Sequence, residues 1–411
     1  MSYIRFPGIN FLPILICVLW FFPITILGFF TAPLGTVIFS AAKFPLIFFC
    51  LINMLAQRNI NLNTKIIFFL FFAFLSSLAS QAITYSGIRY IVLALSVAFF
   101  SPLITSNYAI KLREEIWEHL GWASLLVVML SIFFEVGSIQ LPQLYFKEGN
   151  PGITTHAMLY GPISGFASLF LFSKACTKEK KRKLYIFLSI ICLTAVFSSL
   201  SRIAITATIL GLTTALLYTL KLEKSKFFIL ALVIAGISLI TALSYLNQSD
   251  KYGDADSGSA FTQKGSETSS RTELWDERLR EFKSNPILGI GVGVSQEILD
   301  ENILLNGEFI GFVEPGSTYL VILSMTGLLG AISLSIAIGF EFLNFLNCSK
   351  YIQKYTNIEI LGMGVFFIVH GVAEGWIYSP GGIICIMFWL WFGRMVDATK
   401  KILNKEWFKM L

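Results

Sequence analysis

From Phe11 to Trp391 the sequence returns repeatedly to apolar runs of about 20 residues, the length a helix needs to cross a hydrocarbon core of roughly 30 Å. Such runs cannot all be buried inside one soluble core. The composition agrees: 55% of residues are hydrophobic, 39 are Phe, and 14% are charged, against about 25% charged residues in soluble chains. A length of 411 residues would suffice for two or three soluble domains, and this composition excludes them. The net charge of +6 is not a nucleic-acid footprint, because Lys and Arg gather in the joints between apolar runs, where they orient helices. The expected fold is an all-α polytopic membrane protein of about 12 transmembrane helices with one large extracytoplasmic loop.

The spans are placed at 11–31, 33–55, 66–84, 88–106, 119–138, 154–173, 184–200, 203–220, 227–246, 317–346, 358–378 and 380–397. The first run is read as a retained helix, since no small-residue cleavage site and soluble domain follow it. Arg58, Lys65, Lys111, Arg113, the run Lys178 to Lys183, Lys221, Lys224, Lys226, Lys350, Lys354, Lys400, Lys401, Lys405 and Lys409 all fall on one side. That asymmetry puts both termini on the cytoplasmic side. Residues 184–220 carry Lys clusters at both ends, so the chain must cross twice, turning at Ser198-Ser199-Leu200-Ser201-Arg202. Arg202 then stands at the outer mouth. The six cysteines show no metal-ligand spacing and none lies in the loop, so no disulfide framework is expected.

The domain plan is therefore 1–246 for helices one to nine, 247–316 for the periplasmic loop, 317–397 for helices ten to twelve, and 398–411 for a cytoplasmic tail. The loop begins with a Gly, Ser and Asp-rich stretch. An amphipathic helix over 270–284 follows, opened by the capping box Ser270-Arg271-Thr272-Glu273 and ended by Asn285-Pro286. At 100° per residue, Arg271, Trp275, Arg278 and Phe282 share a stripe and Arg280 points away.

Ionisable residues within spans are functional candidates by default. Here they are Lys43, Arg89, Glu135, His156, Arg202, Glu341, His370 and Glu374. Lys43, Arg89 and Glu341 read as side chains snorkelling from span ends. His370 and Glu374 lie one helical turn apart and can bond to each other. Arg202, Arg271 and Arg278 can grip phosphate oxygens with a planar two-donor fork, and Trp275 can cover a sugar ring. Gly289-Ile290-Gly291-Val292-Gly293 lacks the βαβ context of a nucleotide loop and reads as a close backbone approach. Glu314-Pro315-Gly316-Ser317-Thr318 opens the tenth span, and Glu314 is a candidate base.

Several of these elements occur in a characteristic order: Ser201-Arg202, then Arg271-x-x-x-Trp275, then Asn285-Pro286-Ile287-Leu288-Gly289-Ile290-Gly291, then Thr318-Tyr319-Leu320 and Gly327-Leu328-Leu329-Gly330. In this the chain resembles the O-antigen ligase and O-antigen polymerase superfamily of bacterial envelope enzymes, most closely between Ser198 and Gly330. The segment from His370 to Trp391, with Glu374 and Phe388-Trp389, is similar to the polymerase branch. Ligases of the superfamily carry a His-Asn pair before the Tyr-Leu, where this chain has Gly316 and Ser317. That departure favours a polymerase.

The resemblance implies a GT-C-like glycosyltransferase joining sugars carried on undecaprenyl pyrophosphate at the periplasmic face. It implies no cofactor and no metal, because the pyrophosphate is already a leaving group. Arg202 and Arg271 would stabilise that leaving group and Glu314 would deprotonate the acceptor. Arg278, Trp275, His156, Tyr319, His370 and Glu374 would contact substrate. Expected partners are the lipid-linked oligosaccharide, the bilayer, and a chain-length regulator and flippase of the same pathway, with no nucleic acid. Two other readings stand beside it: a ligase moving finished polymer to lipid A core, and a transporter or flippase for a lipid-linked sugar.

Overall fold

The computed structural model describes residues 11–25, 34–57, 60–136, 150–154, 156–176, 179–220, 265–295, 316–379 and 381–410. The α-helices among them are α1 (Leu12–Phe21), α2 (Leu34–Leu55), α3 (Thr64–Ala79), α4 (Ile83–Phe100), α5 (Asn107–Val136), α6 (Ala157–Ala175), α7 (Arg182–Ser198), α8 (Arg202–Thr219), α9 (Gly265–Ser284), α10 (Thr318–Cys348), α11 (Lys354–His370) and α12 (Ile383–Met410). Two residue pairs, β1 (Asn61–Leu62) and β2 (Ile104–Thr105), form an antiparallel ladder joining the α2–α3 and α4–α5 connections. Among the described residues α4, α5, α8 and α10 are long and apolar enough to cross a membrane, and α1, α2, α3 and α11 are shorter apolar helices. The chain is a helical membrane protein. The expected span 227–246 lies outside the described residues.

Large apolar side chains point outward, as a lipid-facing surface requires: Phe48, Phe68, Phe133, Phe187 and Ile336 are exposed. Inside, small residues let helices approach. Where α8 crosses α11, a Cβ on Gly211 would lie 2.8 Å from the Gly362 carbonyl oxygen. Such backbone contact replaces the hydrophobic drive that lipid cannot supply.

The Lys-rich end of the bundle is laced by buried ion pairs. Arg113 is fully buried; its Nε and Nη2 each donate to Asp397 at 2.8 Å, and Nη1 donates to the carbonyls of Ser101 and Ile104 at 3.0 Å. Glu359 accepts from Trp117 Nε1 at 2.7 Å and from Arg394 at 2.6 Å. Lys43 and Glu341, expected to snorkel, are instead inside. Lys43 sits 5.1 Å from the centre of the Trp20 ring, and Glu341 accepts from Asn63 and Lys65 at 3.1 and 3.3 Å. A charge buried with a partner from a distant helix does not need the interface.

Several boundaries differ from the sequence expectation. α1 stops at Phe21, where Phe22–Ile24 tightens into a 3₁₀ turn around Pro23, and Thr25 bridges to Thr154. α5 begins at Asn107, so the charged joint before it is helical. α9 begins at Gly265, which leaves Ser270 inside the helix and not at its cap. α12 continues from the last span through the expected tail to Met410.

Candidate active site

Arg202 is the first residue of α8. The chain leaves α7 at Ser198 and reverses within three residues, because Leu200 adopts a left-handed φ of 55°, at a cost of about 1 kcal/mol. The buried Ser199 hydroxyl accepts from the Ser201 N–H at 3.3 Å. Two neighbours hold this turn. The Asn150 N–H donates to the Ser198 carbonyl at 3.2 Å, and the Asn150 amide donates to Glu135 at 2.9 Å. From α6, Gly161 lies so close that a Cβ there would meet Ser199 Oγ at 2.7 Å. His156 caps α6: its Nδ1 accepts from the Met158 N–H at 2.8 Å. In the neutral ring the proton therefore belongs on Nε2.

The α8–α11 crossing sets the level of Arg202. Moving an equal number of residues from Gly211 and Gly362 along these antiparallel helices brings Arg202 opposite Gly371. There α11 ends and α10 begins. Thr318 N–H donates to the Gly371 and Glu374 carbonyls at 2.9 and 3.1 Å. The Thr318 hydroxyl donates to the Glu374 carbonyl at 2.7 Å and accepts from Trp376 N–H at 3.3 Å. Thr318→Val keeps the shape and deletes the hydroxyl contacts. It is expected to destabilise the protein by about 1–2 kcal/mol, read as a lowered melting temperature in detergent.

This arrangement corrects the expected His370–Glu374 helical pair. α11 ends at His370, and Glu374 lies in the following loop. The carbonyls of 371 and 374 serve Thr318, not a continuing helix, and Gly371, Gly375, Pro380, Gly381 and Gly382 disfavour one. His370 is buried, stacked on Phe366, and its Nδ1 accepts from Trp376 Nε1 at 3.1 Å. Tyr319 donates its hydroxyl to the Ile368 carbonyl at 2.7 Å.

The loop helix α9 lies along the first part of α10. At one end Trp275 Nε1 donates to the Gly316 carbonyl at 3.2 Å. At the other, the Pro286 and Ile287 carbonyls accept from the N–H groups of Leu328 and Leu329 at 2.8 and 3.3 Å. The stripe expected to face substrate partly faces protein. Arg278 is fully buried, paired with Glu277 at 2.7 Å and Glu281 at 2.8 Å, whereas Arg280 is exposed. Arg271 lies within α9, and its side chain falls outside the described residues, as does Glu314 altogether.

The sequence did not reveal the break in α10. Gly327 takes φ 61° and ψ −167°, and the helix parts there. The loop after α9 supplies the missing partners. Ile290 and Gly291 N–H groups donate to the Ser324 and Met325 carbonyls at 2.9 and 3.2 Å, and Ser76 Oγ from α3 donates to Met325 at 2.5 Å. Together with the bonds to Leu328 and Leu329, these close the break from both sides. Non-helical backbone at membrane depth is tolerated where protein satisfies it. Gly289 and Gly291, both at positive φ, allow this approach: a Cβ on Gly289 would lie 2.5 Å from Met325 carbonyl carbon. The close approach expected for this glycine pattern is thus a plug in a broken helix.

Helices that bury paired charges, pack through glycine and join a loop helix to a broken span are those of a helical membrane protein. Residues 187–335 match the O-antigen ligase family model. The matched stretch includes Arg202, α9, the plugging loop and the break in α10. No curated protein matches the chain.

Proposed function

We propose that the protein is a polysaccharide polymerase, acting at the periplasmic face of a bacterial inner membrane on glycans carried by undecaprenyl pyrophosphate. The observation that carries this reading is Arg202, held at the start of α8 by the strained turn through Leu200. The acceptor hydroxyl oxygen attacks the anomeric carbon of the donor sugar. The bond from that carbon to the pyrophosphate oxygen breaks, and the hydroxyl proton passes to a base. Arg202 and Arg271 stabilise the charge that grows on the leaving pyrophosphate. Glu314, next to the start of α10, is the proposed base, with Glu374 and His156 as the other candidates. The step routes through no metal or cofactor. Because His156 Nδ1 already accepts from the Met158 N–H, Nε2 carries the proton of the neutral ring, which ranks His156 behind Glu374 as a base. Arg278, already paired with two carboxylates, positions α9 in this scheme and leaves phosphate binding to others.

Gly316 and Ser317 in place of the ligase His-Asn pair favour polymerisation. Transfer to lipid A core is the second reading, favoured by the ligase description of the family model. Incubating purified protein with lipid-linked repeat units, with and without lipid A core, separates them. A polymer ladder without the core supports the first, and product only with the core supports the second.

The proposed topology has twelve spans, both termini inside, and residues 247–316 outside. Reporter fusions at Lys181 and Ser257 are expected in opposite compartments. Finding both in one compartment contradicts the topology.

A further inference from the structure

Arginines inside a helix bundle come with carboxylates where burial makes a lone charge costly. Arg113 pairs with Asp397, Arg278 with Glu277 and Glu281, and Arg394 with Glu359. Arg89 does not follow this pattern. It is half-buried in the first two turns of α4. Its partner is neutral: Nη2 donates to the Tyr85 hydroxyl oxygen at 2.9 Å, and the guanidinium lies 5.1 Å from the ring centre. Among the described residues no carboxylate pairs with it, and the Tyr85 O–H has no acceptor.

The stem of Arg89 is held from the other side. Gly293, at φ +76°, lies so near that a Cβ there would sit 2.8 Å from Arg89 Cγ. Gly293 belongs to the loop that plugs α10, and its neighbours Ile290 and Val294 pack on Ala82 and Tyr85. The Ser86 hydroxyl bonds the Val292 carbonyl at 3.1 Å. The loop that anchors α9 therefore also clamps Arg89. A guanidinium has five N–H donors, and among the described residues one is engaged. Fixed stem, unmet donors and an adjacent hydroxyl donor suit one kind of ligand, a phosphate oxyanion.

We propose that Arg89 and Tyr85 form an oxyanion site for the phosphate of a lipid-borne substrate. The proposal rests on the polymerase reading for the identity of that lipid. Bulk phospholipid headgroups share the chemistry, so the test must separate the two sources.

The test uses full-length protein in phosphatidylcholine nanodiscs, with a polyprenyl pyrophosphate as the probe and phosphatidylglycerol as competitor. Arg89→Gln is expected to weaken probe binding about tenfold or more. Arg89→Lys should recover part of it, and Tyr85→Phe should lose less. The exposed Arg280→Ala should match wild type. Excess phosphatidylglycerol should not displace the probe. Melting temperatures identify any variant that fails to fold; if Arg89→Gln does, Arg89→Lys and Tyr85→Phe decide, and wild-type binding by both overturns the site. Unchanged binding by folded Arg89→Gln also overturns it, as does equal displacement by phosphatidylglycerol, which assigns Arg89 to bulk lipid. If wild type does not bind the probe, the polymerase reading and this site fall together. If wild type binds and Arg202→Ala alone loses the probe, only the Arg89 site falls.

Discussion

Gly327→Val is expected to abolish the folded protein. The residue sits at φ 61°, and a Cβ would lie 2.3 Å from the Ile287 carbonyl oxygen and 2.7 Å from the Gly289 nitrogen. Those atoms are backbone: the Ile287 carbonyl accepts from the Leu329 N–H across the break in α10, and the Gly289 N–H donates to the Asn285 carbonyl. Neither partner can yield without exposing unsatisfied polar groups at membrane depth. The backbone strain and the clash together cost roughly 3–5 kcal/mol, comparable with the whole stability of many domains. A fluorescent fusion run by size exclusion should lose its monodisperse peak. Gly339→Ala is the matched control on the same helix. Nothing lies within 4 Å of a Cβ there, so this change should be neutral or stabilising by up to about 1 kcal/mol. A wild-type peak from Gly327→Val would mean that the break is not sealed as described.

Arg202→Ala is expected to lower polymer formation about a hundredfold or more while leaving the fold intact. Losing a charge-assisted bond to a developing anion costs on the order of 3 kcal/mol, which is roughly that factor in rate. Ala is a good helix former at the start of α8, and the turn before it is held by Ser199, Asn150 and Gly161. Arg202→Lys keeps the charge and loses the planar fork, so it should also be impaired. A polymer-length gel at matched expression reads the effect. Normal ladders from Arg202→Ala would remove this arginine from the chemistry.

The position of Arg202 was legible because Lys clusters flank 184–220 at both ends and leave one place for a turn. The structure puts that turn between Ser198 and Arg202. The glycine pattern at 289–293 announced a close approach for the same elementary reason, the absence of Cβ. What it approaches was hidden. Hydrophobicity runs unbroken across Gly327, and apolar periodicity carries no record of φ. The helix expected to run from His370 through Glu374 failed for a related reason: Val372, Trp376 and Ile377 continue the apolar pattern while Thr318 claims the carbonyls that a helix would use. Lys43 and Glu341 were misplaced because their partners, Trp20 for one and Lys65 and Asn63 for the other, lie on other elements. Snorkelling is a reading of one helix, whereas burial belongs to the packed set. Arg278 shows a different limit: its two carboxylates, Glu277 and Glu281, lie on α9 itself within helical reach, and what periodicity did not carry is the burial of that face.

The central claim is that a new glycosidic bond forms as the pyrophosphate leaves. Purified protein in liposomes, supplied with labelled lipid-linked repeat units, allows both products to be counted over time. The account predicts one free polyprenyl pyrophosphate for each new glycosidic bond, with both rates falling together in Arg202→Ala. Movement of the labelled lipid between leaflets with no new bonds and no released polyprenyl pyrophosphate would contradict it.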